Sequence, residues 1–327
     1  MHSTNLKHEL DMETDLFLQQ NYGKKLVVVY GNCHTLALIY NLIQSDEFLK
    51  EYAVFPLLPI QEISDVQYFE GKIFGLCDVF IHQCIRVNNR YGKEYASQNL
   101  IQKLKPDCRI ISIPNLYHIP MCFYPQFDDS YDYTTHRGIR MFYGDGILDR
   151  AYEDGLSEEE ALVYYLSENV YPSYEFELQF EKFLSKVRQR ENEWDIKMSD
   201  FILENYKKEL LFYDPNHPTP IIIRRIANGC LSILGLSDLP ADSDDQGMDA
   251  CQLPLCGSVM KALSMDLKEY ELRISGKKLL NKPMFLQDYI SQYYAMQWQN
   301  TDLTLRQRGN SLCKYAVILL RKIIRKK

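Results

Sequence analysis

Over the first 115 residues, short runs of continuously apolar, β-branched positions alternate with stretches whose apolar residues recur at helical spacing. Leu26 to Tyr30 reads as a strand covered on both faces, and Leu36, Leu38, Ile39, Leu42 and Ile43 continue it as a helix. Tyr52 to Leu58 is a second strand, followed by a short helical segment around Glu62 to Phe69. Asp78 to His82 is a third, followed by a helix from about Tyr91 to Leu104, and Arg109 to Ile113 is a fourth, ending at Pro114-Asn115. Repeated βα units of this length predict an α/β fold, a parallel sheet flanked by helices in three layers with right-handed crossovers. Ligands of such sheets bind beyond the carboxyl ends of the strands, where Gly31 to His34, Gln83 to Arg86 and Asn115 to His118 should converge.

The rest of the chain reads as mostly helical. From Tyr117 to Gly146 the sequence is aromatic, Pro-containing and irregular, a length of loop that points to function. Ser157-Glu-Glu-Glu160 spells a capping box for a helix over Glu158 to Glu168, and Tyr174 to Glu191 and Trp194 to Glu209 carry amphipathic patterns. Leu210 to Tyr213 is either a fifth strand or the end of the preceding helix. Asp214-Pro-Asn-His-Pro-Thr-Pro220 interrupts all regular structure before a helix from about Ile221 to Leu234, which Gly235 should stop. Leu236 to Gly247 has linker composition, and Pro283 to Asn300 is the clearest helix beyond it. The chain thus divides into a polar N-terminal segment (1–23), an α/β core with helical insertions (24–235) and a helical C-terminal section that caps the site (236–327).

Composition narrows the function. A formal net charge of -7 argues against a nucleic-acid partner, although local basic sites remain open to it. Nine cysteines at irregular spacing with no CxxC pair read as reduced thiols of a cytoplasmic protein, not as a disulfide framework or zinc ribbon. Met1 to Asn21 has no apolar core of signal-peptide length, and no segment reaches the ~20 apolar residues of a membrane span. The final stretch, Leu312 to Lys327, places six Lys or Arg among 16 residues beside Ile and Leu. It suits either peripheral contact with an anionic membrane or a terminal helix with a solvated basic end.

The chemistry centres on Gly31-Asn32-Cys33-His34. Cys33 falls at the first turn of a helix, where free N–H groups and the helix dipole favour a thiolate. A small buried residue in a tight turn would also fit. Of the seven histidines, His217 is the best base, because Asp214 lies three residues before it and Pro215 and Pro218 fix the backbone between. A carboxylate that orients an imidazole, which in turn serves a nucleophile, is the logic of a triad. Asp214 as a turn residue with His217 at the surface is the alternative. Cys33 or His34 N–H, with Asn32, Gln83 and Asn115, could supply oxyanion or substrate contacts. A metal set drawn from Cys33, His34, His82, Cys84, His118 and Cys122 competes, but no pair has finger-like spacing, and no metal is expected.

The Gly-x-nucleophile turn after the first strand, with Asp-x-x-His far downstream, resembles the arrangement of SGNH (GDSL-type) hydrolases and acyltransferases, with Cys33 in place of Ser. The GNC turn with its Leu-rich helix, Phe80-Ile-His-Gln83, Ile113-Pro-Asn-Leu-Tyr117 and Asn216-His217-Pro218 together resemble the bacterial WcbI-type capsular polysaccharide biosynthesis family over about residues 24 to 235. That resemblance implies an SGNH- or flavodoxin-like three-layer fold and a coenzyme A-dependent acetyltransferase acting on a carbohydrate or nucleotide-sugar acceptor. Two departures stand out: His34 follows the GNC turn, and no Gly-x-Asn-Asp block is present. A coenzyme needs local cations for its phosphates, and Arg86, Arg90, Arg137 and Arg140 lie in the right region, with Gly31 at the turn. A thiol esterase or deacetylase, and a non-catalytic binder of CoA or a nucleotide sugar, are the other readings.

Overall fold

The computed structural model describes residues 6–116, 121–126, 145–171, 175–243, 252–267 and 285–297. Four parallel strands, β1 (Lys25–Tyr30), β2 (Tyr52–Pro56), β3 (Val79–Gln83) and β4 (Arg109–Ile113), form a sheet in the order β2-β1-β3-β4. The expected α/β architecture is therefore present. Because β1 connects outward to β2 on one side and the chain then returns to β3 on the other, strand order switches at the carboxyl end of β1.

The helical layers follow from the pleat. Val28, Phe55 and Phe80 are register partners and share one face with Tyr30. Helix α1 (Leu6–Gln20) covers that face through an edge-to-face contact of Phe17 with Phe55, while Phe69 packs edge-on against Tyr30. On the opposite face, α2 (His34–Leu42) packs against β1 and β2, and α10 (Pro220–Leu234) packs against α2 and β4. Between these elements lie short helices α3 (Asp46–Glu51), α4 (Ile73–Leu76) and α5 (Ser97–Ile101). The N-terminal segment, read from its sequence as polar, is a helix whose Leu10, Thr14 and Phe17 are buried, a sparse apolar stripe that charged neighbours obscured.

Helices α6 (Gly146–Glu153), α7 (Glu158–Leu166), α8 (Phe176–Arg190), α9 (Ser199–Asn205), α11 (Gly257–Ala262) and α12 (Leu286–Gln297) make up the remainder. The Ser157/Glu160 capping box is formed in both directions, and Gly235 ends α10 in the left-handed conformation at φ 80°. Leu210 to Tyr213 contributes to neither a long helix nor the main sheet. Phe212–Asp214 forms β5, which pairs antiparallel with β6 (His217–Pro218) as a separate short hairpin. The described part of the linker-like stretch is anchored: Ser237 bonds Glu47, Leu239 is buried, and Arg224 bonds the Leu239 carbonyl.

One buried carboxylate organises the helical section. Asp145 Oδ1 accepts from the N–H groups of Ile147 and Leu148 at 3.0 and 3.3 Å, and Oδ2 accepts the hydroxyls of Tyr165 and Tyr289 at 2.8 and 3.2 Å. Burial pushes this acid up to about 6, against the pull of those hydrogen bonds. Four donors from three helices thus converge on one side chain. Asp145→Ala, which leaves the donors buried and unpaired, is expected to cost about 3 to 5 kcal/mol in urea unfolding. A cost below 1 kcal/mol would show that the network is incidental.

Candidate functional site

At the switch point, β1 ends in Tyr30 and the chain turns through Gly31 and Asn32 into α2, with Cys33 as its N-cap residue in helical conformation. The turn requires glycine. A Cβ on Gly31 would lie 2.5 Å from Gln83 Oε1 and 2.9 Å from Gln83 Cγ. Gln83 cannot retreat freely, since its Oε1 accepts from the Asn32 N–H at 2.8 Å and the residue is buried. Asn32 closes the turn from within: its Oδ1 accepts the His34 N–H at 3.0 Å, and its carbonyl accepts from Thr35 N and Oγ1. Of the two backbone donors expected at an oxyanion site, the His34 N–H is therefore engaged. That of Cys33 makes no hydrogen bond among the described residues.

The β5–β6 hairpin brings Asp214 and His217 to the same place. Asp214 is fully buried; its Oδ1 accepts the N–H groups of Asn216 and His217 at 2.6 and 2.9 Å, and its Oδ2 lies 2.7 Å from His217 Nδ1. The carboxylate thus serves both as turn former and as orienter of the imidazole. The turn-forming half of the alternative holds, but His217 is part-buried and not at the surface. On its far side, His217 pairs with the Cys33 side chain. Burial opposes a charge on His217, but Asp214 and then Cys33 outweigh it and raise the imidazole to about 10. His217 therefore stands between Asp214 and Cys33.

The other sequence-identified residues are placed differently. His34 is buried, with Nε2 2.5 Å from the Asn216 carbonyl and its ring centroid 6.1 Å from that of His217. Burial and the neighbouring His217 push it down to about 3. Asn115 lies beside the turn, its Oδ1 3.5 Å from Asn32 Nδ2. Gln83 and His34, with Leu38, Ile113, Leu116, Pro218, Ile223 and Ile226, line a narrow apolar cleft behind the hairpin. Arg86 is paired with Glu193 at 2.5 Å, and Arg90 reaches the Tyr91 hydroxyl and stacks on its ring. Arg137, Arg140, His118 and the tail from 312 to 327 lie outside the described residues. His82 stacks on Phe80, on the sheet face away from α2, and among the described residues no group of three His, Cys, Asp or Glu side chains converges as a metal site.

Sequence reasoning passed over Arg190. The last residue of α8, it is half-buried and donates from Nη1 to the Asn115 carbonyl at 3.3 Å. Burial, and then Arg86 nearby, lower its pKa. Nothing local distinguishes it from the other basic residues that commonly end helices, so only the packing of α8 reveals its position.

The profile of the polysaccharide biosynthesis enzyme WcbI matches residues 26–239, a span that contains the GNC turn and the hairpin. The chain belongs to the WcbI family of polysaccharide biosynthesis enzymes. A solved structure of WcbI, described as a novel polysaccharide biosynthesis enzyme in its native form without a disulfide bond between CoA and one of its cysteines, shares the fold. Its TM-score is 0.67 at 20% identity, with 93% of this chain and 97% of that chain covered. None of the curated proteins matches the chain by sequence. Among the described residues, no helix of this family member is long and apolar enough to cross a membrane.

The raised value of His217 has a definite sign. A group whose folded pKa exceeds its ordinary 6.5 adds stability that is complete below about 6.5 and is lost as pH rises through about 10. Asp214→Asn removes the paired charge and is expected to cost about 3 kcal/mol near pH 6. Urea unfolding should show the gap between the two proteins closing toward pH 10. A gap that widens with pH would contradict the pairing. Gly31→Ala, which forces Gln83 from Asn32, should cost about 1 to 3 kcal/mol in the same assay.

Proposed function

We propose that this enzyme transfers an acetyl group from acetyl-CoA to a hydroxyl of a carbohydrate or nucleotide-sugar precursor of a surface polysaccharide, with Cys33 as the transient carrier. The observation that carries the reading is the row Cys33–His217–Asp214 at the sheet's switch point, built from segments some 180 residues apart. Thioester exchange onto a thiol is nearly isoenergetic, so a thiol suits a CoA donor.

A protonated His217 decides the order of proton transfers. Cys33, reacting as its thiolate, attacks the thioester carbonyl, and the Cys33 N–H donates to the oxygen that becomes negative. As the bond to the CoA sulfur breaks, His217 gives its proton to the departing thiolate and becomes neutral. A sugar hydroxyl then gives its proton to His217 and attacks the acyl group on Cys33, which leaves as the thiolate while His217 is again protonated. Throughout, Asp214 holds Nδ1, so that Nε2 faces the reacting atoms. Direct transfer with His217 as the first base fits less well, because its proton must leave before it can accept another.

The surroundings suit the donor. Arg190 and Arg86, at the ends of α8 and β3, offer two guanidiniums for phosphate oxygens. The exposed Arg86–Glu193 pair is worth little, so phosphate can displace Glu193 at small cost. That the solved WcbI structure is described by the lack of a disulfide between CoA and one of its cysteines supports CoA as a partner here. The basic terminal stretch, Leu312 to Lys327, would hold the enzyme near an anionic membrane where surface polysaccharides are assembled.

Incubation with acetyl-CoA followed by intact mass and peptide mapping tests the reading. An acetyl group replacing hydrogen on Cys33, lost in Cys33→Ser, is the expected result. Absence of CoA binding by calorimetry would overturn the acyltransferase reading. Retention of transfer in Cys33→Ala, with loss in His217→Ala, would replace the covalent route with direct transfer. Removing the Cys33 N–H geometry through Gly31→Ala should lower turnover about 10²-fold.

A further inference from the structure

His34 performs no step in the proposed transfer, yet its imidazole makes a hydrogen bond across 182 residues of sequence to the turn that carries His217. A carbonyl can only accept, so the Asn216 oxygen 2.5 Å away fixes Nε2 of His34 as the protonated nitrogen. We propose that His34 is a positioning residue, a latch that fastens the β5–β6 turn to the first turn of α2 and so holds His217 within reach of Cys33.

Three observations carry this. The hairpin is short, with three residues in β5 and two in β6, and the bonds that hold it from outside, Tyr124 hydroxyl to the Phe212 carbonyl and Leu253 N–H to the Tyr213 carbonyl, fall on β5 and leave the turn to be placed. Its internal bonds, from Asp214 to Asn216 and His217, set the shape of the turn but tie it to nothing on α2. The Asn216 carbonyl, midway between Asp214 and His217, is the point at which α2 reaches it. Second, His34 and Cys33 are adjacent, so one rigid helical turn presents both the thiol and the group that secures the thiol's partner. Third, the latch keeps its proton state. Among the described residues, the titratable group that acts on His34 is His217 on the hairpin, with Cys33 next to it in the chain, while β3 presents neutral Gln83, and β4 and α10 present Ile113, Ile223 and Ile226. Burial and the positive His217 hold His34 neutral throughout the working range.

The proposal rests on Cys33 and His217 acting as a pair, and its test reads thiol reactivity without an acyl donor, so that it fails or stands separately from acetyl transfer. Cys33 alkylation by iodoacetamide, followed by peptide mapping from pH 5 to 10, would be compared in the full chain and in H34F and H34Q, with thermal unfolding run alongside. Phe keeps the volume and loses the donor, whereas the amide of Gln reaches a similar position. H34F is expected to lower Cys33 alkylation at pH 7 by about tenfold and to move its profile to higher pH, while H34Q stays within about threefold with the profile unmoved. A wild-type profile in folded H34F would overturn the proposal, as would equal loss in H34F and H34Q. Nitrogen NMR of the histidines in the unaltered protein provides an answer even if H34F does not fold. A neutral His34 protonated on Nε2 from pH 5 to 8 is expected. Titration near the ordinary value, or a proton on Nδ1, would refute the latch.

Discussion

A fully buried carboxylate paired with a histidine fixes the geometry of this site. Asp214 accepts two backbone N–H groups through one oxygen and orients His217 through the other, so both oxygens that burial removes from water have partners in the same short turn. An isolated carboxylate could not remain charged there. With the turn folded around it, the charge is held in place and passes its effect to the imidazole, which stays protonated to about 10 and faces Cys33. The thiol, the imidazole and the acid thus depend on one another: the acid needs the turn, the imidazole needs the acid, and the sulfur gains a facing charge only while both are in position.

The sheet supplies the meeting place. In the order β2-β1-β3-β4, the carboxyl end of β1 lies where connections diverge, and the Gly31 turn opens there with Gln83 of β3 pressed against it. Helix α10 completes the arrangement. It begins with Pro220 directly after the hairpin and runs back along α2, which sets His217 over the turn. The helical section is anchored elsewhere, on Asp145 and its tyrosines, and reaches the site chiefly through Arg190 at the end of α8. The Cys33, His217 and Asp214 side chains are therefore set by the strand ends of the core, where Arg86 also lies, while Arg190 comes from the added helices.

Most of the α/β core was legible because a parallel strand buried on both faces is written as an unbroken β-branched run, as Leu26 to Tyr30 is, while the edge strand Arg109 to Ile113, exposed at Arg109 and Ile110, was marked by its isoleucines alone. The capping box at Ser157 and the stop at Gly235 were legible for the same reason: the chemistry is local. What was not legible depends on packing. The N-terminal helix hides three buried residues among charges, and the strand at Phe212 pairs only with two residues beyond its own turn. At the site, Cys33, Asp214 and His217 could be named from spacing. The role of His34 could not, since its partner is a backbone carbonyl that any residue at 216 would provide. Arg190 likewise gains its meaning from the neighbour that α8 happens to reach.

The central claim is that Cys33 and His217 form one charge-coupled pair held by Asp214. The ionisation of His217, followed by nitrogen NMR in the wild type and in Cys33→Ala, tests it most directly. If the pair exists, His217 stays protonated far above neutrality in the wild type, near 10, and its midpoint falls when the sulfur is removed. A midpoint near 6.5 that does not respond to loss of Cys33 would contradict it.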